Sequence, residues 1–164
     1  MSTKEEYMNN EIFDLAVKVR KNVLRMVHKA NASHIGSCYS IVDILAALFG
    51  SVMKIDSNYP DLDSRDRFIL SKGHAAAAVY ATLVELNFIK PSDLDDYGAD
   101  GSLFMTHINH KVTGVEFSTG SLGHGLPFGV GKSLAAKRSS KDWRTFVVLS
   151  DGEMDAGSNW EALM

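Results

Sequence analysis

A chain of 164 residues, 45% hydrophobic and 23% charged, has the composition of an ordinary globular domain and the length to bury one core. Its net charge of −3 excludes the basic footprint that nucleic acid or an anionic membrane surface demands, so neither is expected as a partner. The single cysteine, Cys38, excludes an internal disulfide and is expected to be a small buried apolar group rather than a nucleophile.

The N-terminus, Met1-Ser2-Thr3-Lys4-Glu5-Glu6, is polar and acidic, so no secretory leader is read there. No apolar run is read as long enough to span a membrane, and a reducing, cytoplasmic setting is expected. Over residues 10–30, Ile12, Ala16, Val19, Val23, Val27 and Ala30 recur at helical spacing, with Lys18, Arg20, Lys21 and Lys29 on the wet face. Residues 31–37 read as a loop carrying His34. Ser40 and Asp43 have capping-box spacing and predict a second helix through Ile44, Leu45, Leu48 and Phe49. Residues 56–66, with Asn58, Pro60 and alternating aspartates, read as a surface loop.

A short strand is predicted over 67–71, a tight turn at 72–74, and an alanine-rich helix over 75–86 that can pack close to its neighbours. Pro91-Ser92 predicts a further short helix, because proline suits a first turn. Residues 98–112 read as loop. A glycine cluster at 120–125 leads into a helix over 126–137, where Gly129 and Gly131 permit close backbone approach. A last apolar strand, 146–149, stops at Ser150-Asp151-Gly152, and another helix is expected from near Gly157.

Strands separated by helices predict an α/β fold, an incomplete parallel sheet flanked by helices. A parallel strand as apolar as residues 145–149 expects neighbours on both edges, and only two strands are legible. One domain over 1–164 is therefore expected, as the first part of a longer chain.

The chemistry concentrates where the last strand ends. In a parallel sheet the carboxyl ends of strands are where ligands sit. A carboxylate there, Asp151, can hold a hard cation, and Gly152 lets a phosphate approach the backbone. Gly120, Gly123 and Gly125 can expose backbone groups to a phosphate or a flat heterocycle. Gly131-Lys132-Ser133 matches the end of a Walker motif, but the leading glycine falls on Leu126 and Pro127 interrupts the loop. An EF-hand starting at Asp151 fails at Ala156 and Ala162. Glu153 and Asp155 are expected to be solvated or capping acids. His34, His74, His107, His110 and His124, five of the six histidines, fall in loops or turns, where imidazoles can meet oxyanions and move protons. Zinc is disfavoured, since His107 and His110 lack a cysteine pair or a metalloprotease helix.

Four motifs in one order carry a resemblance: Ser33-His34-Ile35-Gly36; Asp66-Arg67-Phe68-Ile69-Leu70-Ser71-Lys72-Gly73-His74; Gly114-Val115-Glu116-Phe117-Ser118-Thr119-Gly120-Ser121-Leu122-Gly123-His124-Gly125; and Ser150-Asp151-Gly152-Glu153. Together they resemble the amino-terminal, diphosphate-binding domain of transketolases, from the first helix to the end of the chain. The amino-terminal subunits of split-type transketolases are especially similar. The resemblance implies transfer of a two-carbon ketol unit from a ketose to an aldose, on sugar or sugar-phosphate substrates, with thiamine diphosphate and Mg²⁺ as cofactors.

Residue by residue, the resemblance implies that Asp151 binds Mg²⁺ and that the Gly152 backbone and His74 meet the diphosphate. The resemblance likewise implies that Gly120 and Leu122 line the aminopyrimidine, with Leu122 packed under the bent cofactor. His34 and His107 are implied as the catalytic histidines near the substrate's hydroxyls, His107 being preferred over His110 by its spacing before Gly114-Val115-Glu116. The chain departs from the family pattern at Ser150 (glycine), Ser121 (proline) and Ala156 (a glutamate that couples the two active sites of a dimer). The family's second Mg²⁺ ligand, an asparagine, falls beyond Met164, and its activating glutamate lies on a pyrimidine-binding domain. A partner is thus implied, either that domain or a carboxy-terminal subunit, in a homodimer or a split hetero-oligomer. Two readings compete: a deoxyxylulose-phosphate synthase, which shares the His34-Ile35-Gly36 loop, and a truncated, non-catalytic binding module, which Ala156 and the missing asparagine suit.

Overall fold

The computed structural model describes residues 3–164, with side chains from Met8 onward. Helix α1 (Thr3–Lys29) runs well N-terminal of the predicted start, because the polar residues before Asn10 continue the helix. Its buried stripe is Leu15, Ala16, Val19, Val23, Met26 and Val27, at three- and four-residue steps, while Lys18, Lys21 and Lys29 are exposed. That stripe packs on α4 (Ala76–Glu85), which is buried without a break from Ala76 to Val84. A helix apolar on every side belongs in the middle of a core, and its alanines let neighbours approach closely.

Two short helices, α2 (Ile35–Tyr39) and α3 (Val42–Ala47), follow α1, and a π-turn, Leu48–Val52, extends α3. The predicted loop therefore ends at His34, and the predicted capping box does not form. Ser40 Oγ donates to Ser37 O at 2.8 Å, and Asp43 instead pairs with Arg20 of α1, N to O 2.6 Å. A charged partner from another helix outcompetes the local cap. Residues 35–52 correct a second expectation, since this 18-residue stretch has the length and apolarity of a membrane span. Its helices are interrupted at Ser40 and Ile41, and Cys38, Val42, Leu45, Ala46 and Phe49 are buried in the core, with Phe49 edge-on to Phe68. Cys38 is fully buried, and burial pushes its thiol pKa up.

Strands β1 (Arg67–Leu70) and β2 (Thr145–Val148) pair in parallel, Arg67 opposite Thr145 and Leu70 opposite Val148. They are the only strands among the described residues. Helix α5 (Gly125–Arg138) lies on them, and α6 (Gly157–Leu163) packs against α5. Of the two glycines in the middle of α5, only Gly129 is needed for contact: a Cβ there would sit 2.6 Å from Val147 Cγ2, while one on Gly131 would meet nothing within 4 Å. Tight 3₁₀ turns at Gly73–Ala75, Pro91–Asp96 and Gly152–Asp155 complete the chain, with Pro91 in a first turn as expected.

The loop over 56–66 is mostly exposed, but its last residue is not. Asp66 is 1% exposed and accepts from Lys54 N (2.9 Å), Arg144 N (2.8 Å) and the Arg144 guanidinium (2.7 Å). It clamps the start of β1 to the start of β2. The buried side chain of Glu116 ties the approach to β1 to α5, paired with Arg65 and lying 3.6 Å from Lys132 Nζ.

Burial raises the Asp66 pKa, but Arg144 and the two backbone N–H groups outweigh it, and the net value is depressed. Its stabilising contribution is then complete above the unfolded carboxylate value, about 3.9, and is lost as pH falls through the lower folded value. Asp66→Ala is expected to cost about 3 kcal/mol at neutral pH and to flatten the acid limb of the stability–pH curve in urea titrations. In the same assay Gly129→Ala loses about 1–3 kcal/mol by overpacking against Val147, whereas Gly131→Ala, in open space, gains up to about 1 kcal/mol.

Candidate functional site

The parallel register brings the carboxyl ends of both strands to one edge, with Leu70 beside Val148. Ser71 N–H still donates to Val148 O at 2.9 Å, so the two turns leave the sheet side by side. At the β1 turn the backbone crowds around Gly73, where any Cβ would strike the Thr119 carbonyl. Gly73 O accepts from Ile108 N at 3.0 Å, and Thr119 Oγ1 donates to Leu70 O at 2.6 Å. Three remote segments are thus stitched together: the turn after β1, the loop carrying His107, and the lead into the glycine cluster.

The stitching gathers the imidazoles. The ring centroids of His34 and His74 are 5.1 Å apart, and those of His34 and His107 are 5.9 Å apart. A Cβ on Gly120 would lie 3.6 Å from His107 Cδ2, so the glycine cluster borders the same group. His34 has φ 73°, a left-handed conformation uncommon for a non-glycine residue, with Ser33 Oγ 3.2 Å from its Nδ1. Helix α2, which follows His34 directly, is held to the β1 turn by Lys72, 5% exposed, whose ammonium donates to Ser37 O (3.1 Å) and Ser40 Oγ (2.9 Å).

The other two loop histidines stand apart. His110 Nδ1 lies 2.8 Å from Ser118 Oγ, and His124 is exposed at the start of α5 without a side-chain capping bond. Tyr80, at the centre of α4, supports the His107 loop by donating to His107 O (3.3 Å) while accepting from Asn109 N (3.0 Å).

At the β2 turn, Asp151 is exposed, and no side-chain hydrogen bond among the described residues engages its carboxylate. A Cβ on Gly152 would meet nothing within 4 Å, so the backbone there is open to approach. A free carboxylate beside an uncluttered glycine fits a hard cation and a phosphate. Leu122 leaves 42% of its surface in solvent at the rim of the glycine cluster. His34, His107, Gly120, Asp151 and Gly152 are all exposed, and His74 is half-buried, so the residues form an open face.

One half of an expectation is overturned here. Glu153 is not solvated: it is 1% exposed and accepts hydrogen bonds from Ser71 Oγ and from Gly123 N at 2.8 Å. Its capping role is borne out, since its carboxylate accepts from Ser150 N at 3.1 Å and its own N–H donates to Ser150 Oγ at 3.3 Å, a reciprocal capping box. The burial has no local signal, because Ser71 lies 82 residues away. Asp155 is exposed, as expected. Ser71 and Lys72 fall inside a quoted motif, but only the folded chain gives them a role.

The family model described as the thiamine diphosphate binding domain of transketolase matches residues 13–164. An apulose-4-phosphate transketolase subunit of Phocaeicola vulgatus is 42% identical over 147 residues, which are 90% of this chain and 52% of that protein. A 6-deoxy-6-sulfo-D-fructose transketolase subunit of a Clostridium species is 37% identical over 147 residues, 89% of this chain and 54% of that protein. The chain thus spans about half the length of these curated relatives. Among solved structures, transketolase from Campylobacter jejuni superposes with a TM-score of 0.87 at 29% identity, covering 93% of this chain and 25% of that one. Transketolase from Leishmania mexicana gives 0.85 at 33% identity, covering 93% and 24%.

The His74 pKa is lowered, first by burial and then by the positive potential of His34, Lys72 and His107, with Glu153 opposing. His74 is therefore neutral at pH 7 and carries one N–H donor. An NMR titration is expected to place its midpoint below the ordinary imidazole value of about 6.5. Because the unfolded chain takes up that proton first, His74 withdraws stability as pH falls from about 6.5 towards the folded value, a slope that His74→Gln removes.

Proposed function

The chain belongs to the transketolase family through its thiamine diphosphate binding domain, and on that premise we propose that it supplies the diphosphate-binding side of a ketol-transferring active site. The observation that carries the proposal is the convergence of His34, His74, His107, Gly120, Asp151 and Gly152 on one exposed edge of a parallel sheet. The reaction is transfer of a two-carbon ketol unit from a ketose to an aldose. Thiamine diphosphate, when bound, supplies the electron sink for breaking a carbon–carbon bond next to a carbonyl.

The chain's own residues bind, orient and move protons. Asp151 holds Mg²⁺ with its unengaged carboxylate, a hard oxygen ligand suited to a hard cation. Gly152 offers unobstructed backbone to the diphosphate, and neutral His74 donates to a diphosphate oxygen. Gly120 and Leu122 receive the aminopyrimidine, and covering Leu122 removes apolar surface from water. His34 and His107, with their rings edge-on at 73° to each other, orient the sugar's hydroxyls and relay protons near neutral pH.

The substrate is a ketose with an anionic terminus. Relatives named for apulose-4-phosphate and for 6-deoxy-6-sulfo-D-fructose motivate this class. The partner is a pyrimidine-binding domain or a second polypeptide that covers the open face. Relatives named as single subunits of a transketolase motivate that reading.

Calorimetry with that partner present is expected to show thiamine diphosphate binding that vanishes when Mg²⁺ is chelated. Asp151→Ala is expected to abolish it, and unchanged affinity in that variant removes the metal assignment. Product analysis with a phosphorylated ketose donor is expected to show ketol transfer. Turnover of pyruvate instead indicates a synthase, and no cofactor binding in any combination leaves a non-catalytic module.

A further inference from the structure

Glu153 is the most deeply buried acid of the site, and its bonds reach the end of β1, the glycine cluster, the end of β2 and α6. One oxygen accepts from Ser71, at the end of β1, and from Gly123, in the glycine cluster, at 2.8 Å. The other accepts from Ser150 N, at the end of β2, at 3.1 Å. Glu153 N–H returns a bond to Ser150 Oγ at 3.3 Å, and its carbonyl accepts from Asn159 Nδ2 of α6 at 2.8 Å. Ser71 passes the link on, its oxygen accepting from Gly125 N, the first residue of α5, at 3.0 Å. Ser158 Oγ holds the Gly123 carbonyl at 2.6 Å, from α6 again. Gly123 itself has φ +83°, and a Cβ there would lie 2.7 Å from that of Ala156.

We propose that Glu153 is a positioning residue: a buried carboxylate that locks the glycine cluster, the end of β1 and the Asp151-Gly152 turn into one unit, and so sets the affinity for the diphosphate and its cation. The inference rests on the function proposed above, and it concerns a residue that touches neither cofactor nor substrate.

The chemistry of the side chain supports the assignment. Three donors from three segments converge on it, and only a carboxylate presents acceptors on both oxygens with no donor of its own. A glutamine must turn its amide N–H₂ either towards Ser150 N–H or towards the Ser71 and Gly123 donors, and an aspartate is one methylene too short to reach them. Desolvating a carboxylate costs energy that a well-packed apolar residue does not, so stability alone is a poor reason for placing one here. What the carboxylate provides is a fixed separation between the loop that meets the heterocycle and the turn that meets the metal. Side chains that orient metal-binding groups from behind change metal affinity when replaced, although they touch no metal.

The test uses the full-length protein in complex with its partner and measures Mg²⁺-dependent thiamine diphosphate affinity beside thermal unfolding. Glu153→Gln is expected to weaken that affinity by roughly ten- to a hundredfold in protein that is still folded. A purely structural residue lowers the melting temperature and leaves the affinity of the folded fraction unchanged, a result that overturns the proposal. Ser71→Ala, which keeps the carboxylate but removes one of its donors, is expected to move affinity in the same direction by less. It decides the matter if the glutamine variant does not fold. Amide exchange on the wild-type protein needs no variant: the Gly123, Gly125 and Ser150 protons are expected to open together and to gain protection together with cofactor and Mg²⁺. Independent opening of Gly123 and Ser150 refutes the lock. Absence of cofactor binding by the wild-type protein is a failure of the functional reading instead, and is seen before Glu153 is altered.

Discussion

The parallel pairing of β1 and β2, in the register that sets Leu70 beside Val148, is the constraint on which the rest of the structure hangs. Two strands of four residues are a small sheet, yet the register decides that the turns at Ser71 and Ser150 emerge at the same edge. A slip of one residue would invert the faces of a strand and carry Asp151 away from the imidazoles. Polar clamps at both ends of the pair oppose that slip. Asp66 bridges the strand starts through Lys54 and Arg144, and Glu153 bridges the strand ends through Ser71 and Ser150. Between them, Gly129 brings α5 down onto Val147, so that the glycine cluster ahead of that helix arrives at the correct height.

The site is built at some cost to the fold. His34 is held in a left-handed conformation, Lys72 is an ammonium in the core, and His74 sits where positive neighbours and burial disfavour its charged form. Each of these opposes stability locally, and the opposition is met most plainly by the two bonds that Lys72 makes to Ser37 and Ser40. Further compensation comes from the densely packed centre, α4 with the stripe of α1 against it, where the two hydroxyls, Tyr80 and Thr82, are both hydrogen-bonded.

Much of this is legible in the sequence wherever the cause is local. The stripe of α1, the alanine-rich α4, both strands and the helix after the glycine cluster follow from periodicity and composition, with ends displaced by one or two residues except at the start of α1, which lies seven residues earlier. The grouping of His34, His74 and His107 is implied by motif order. What stays hidden is polar pairing across long separations. Asp43 is 23 residues from the arginine that draws it out of a capping box, Asp66 is 78 from Arg144, and Glu153 is 82 from Ser71. Each of these acids sits in a stretch whose polar residues read as solvent-facing or locally capping; remote arginines redirect Asp43 and Asp66, and Glu153 keeps its local cap on Ser150 while remote donors bury it. The apolar run over 35–52 misleads in the opposite sense, as its hydrophobicity serves a broken pair of helices in a core.

The unbroken burial of α4 has a consequence for how such a protein can diversify. Nine successive residues, Ala76 to Val84, have no face on which to accept a larger or more polar side chain, and four of them are alanines. Drift in this helix is effectively frozen, and it sits directly behind His74 and carries Tyr80, the prop of the His107 loop. Variation is left to the exposed segment over 98–112, where Leu103, Met105 and Lys111 face solvent within a few residues of His107. A lineage or an engineer altering this face therefore inherits a rigid floor behind the imidazoles and an editable rim.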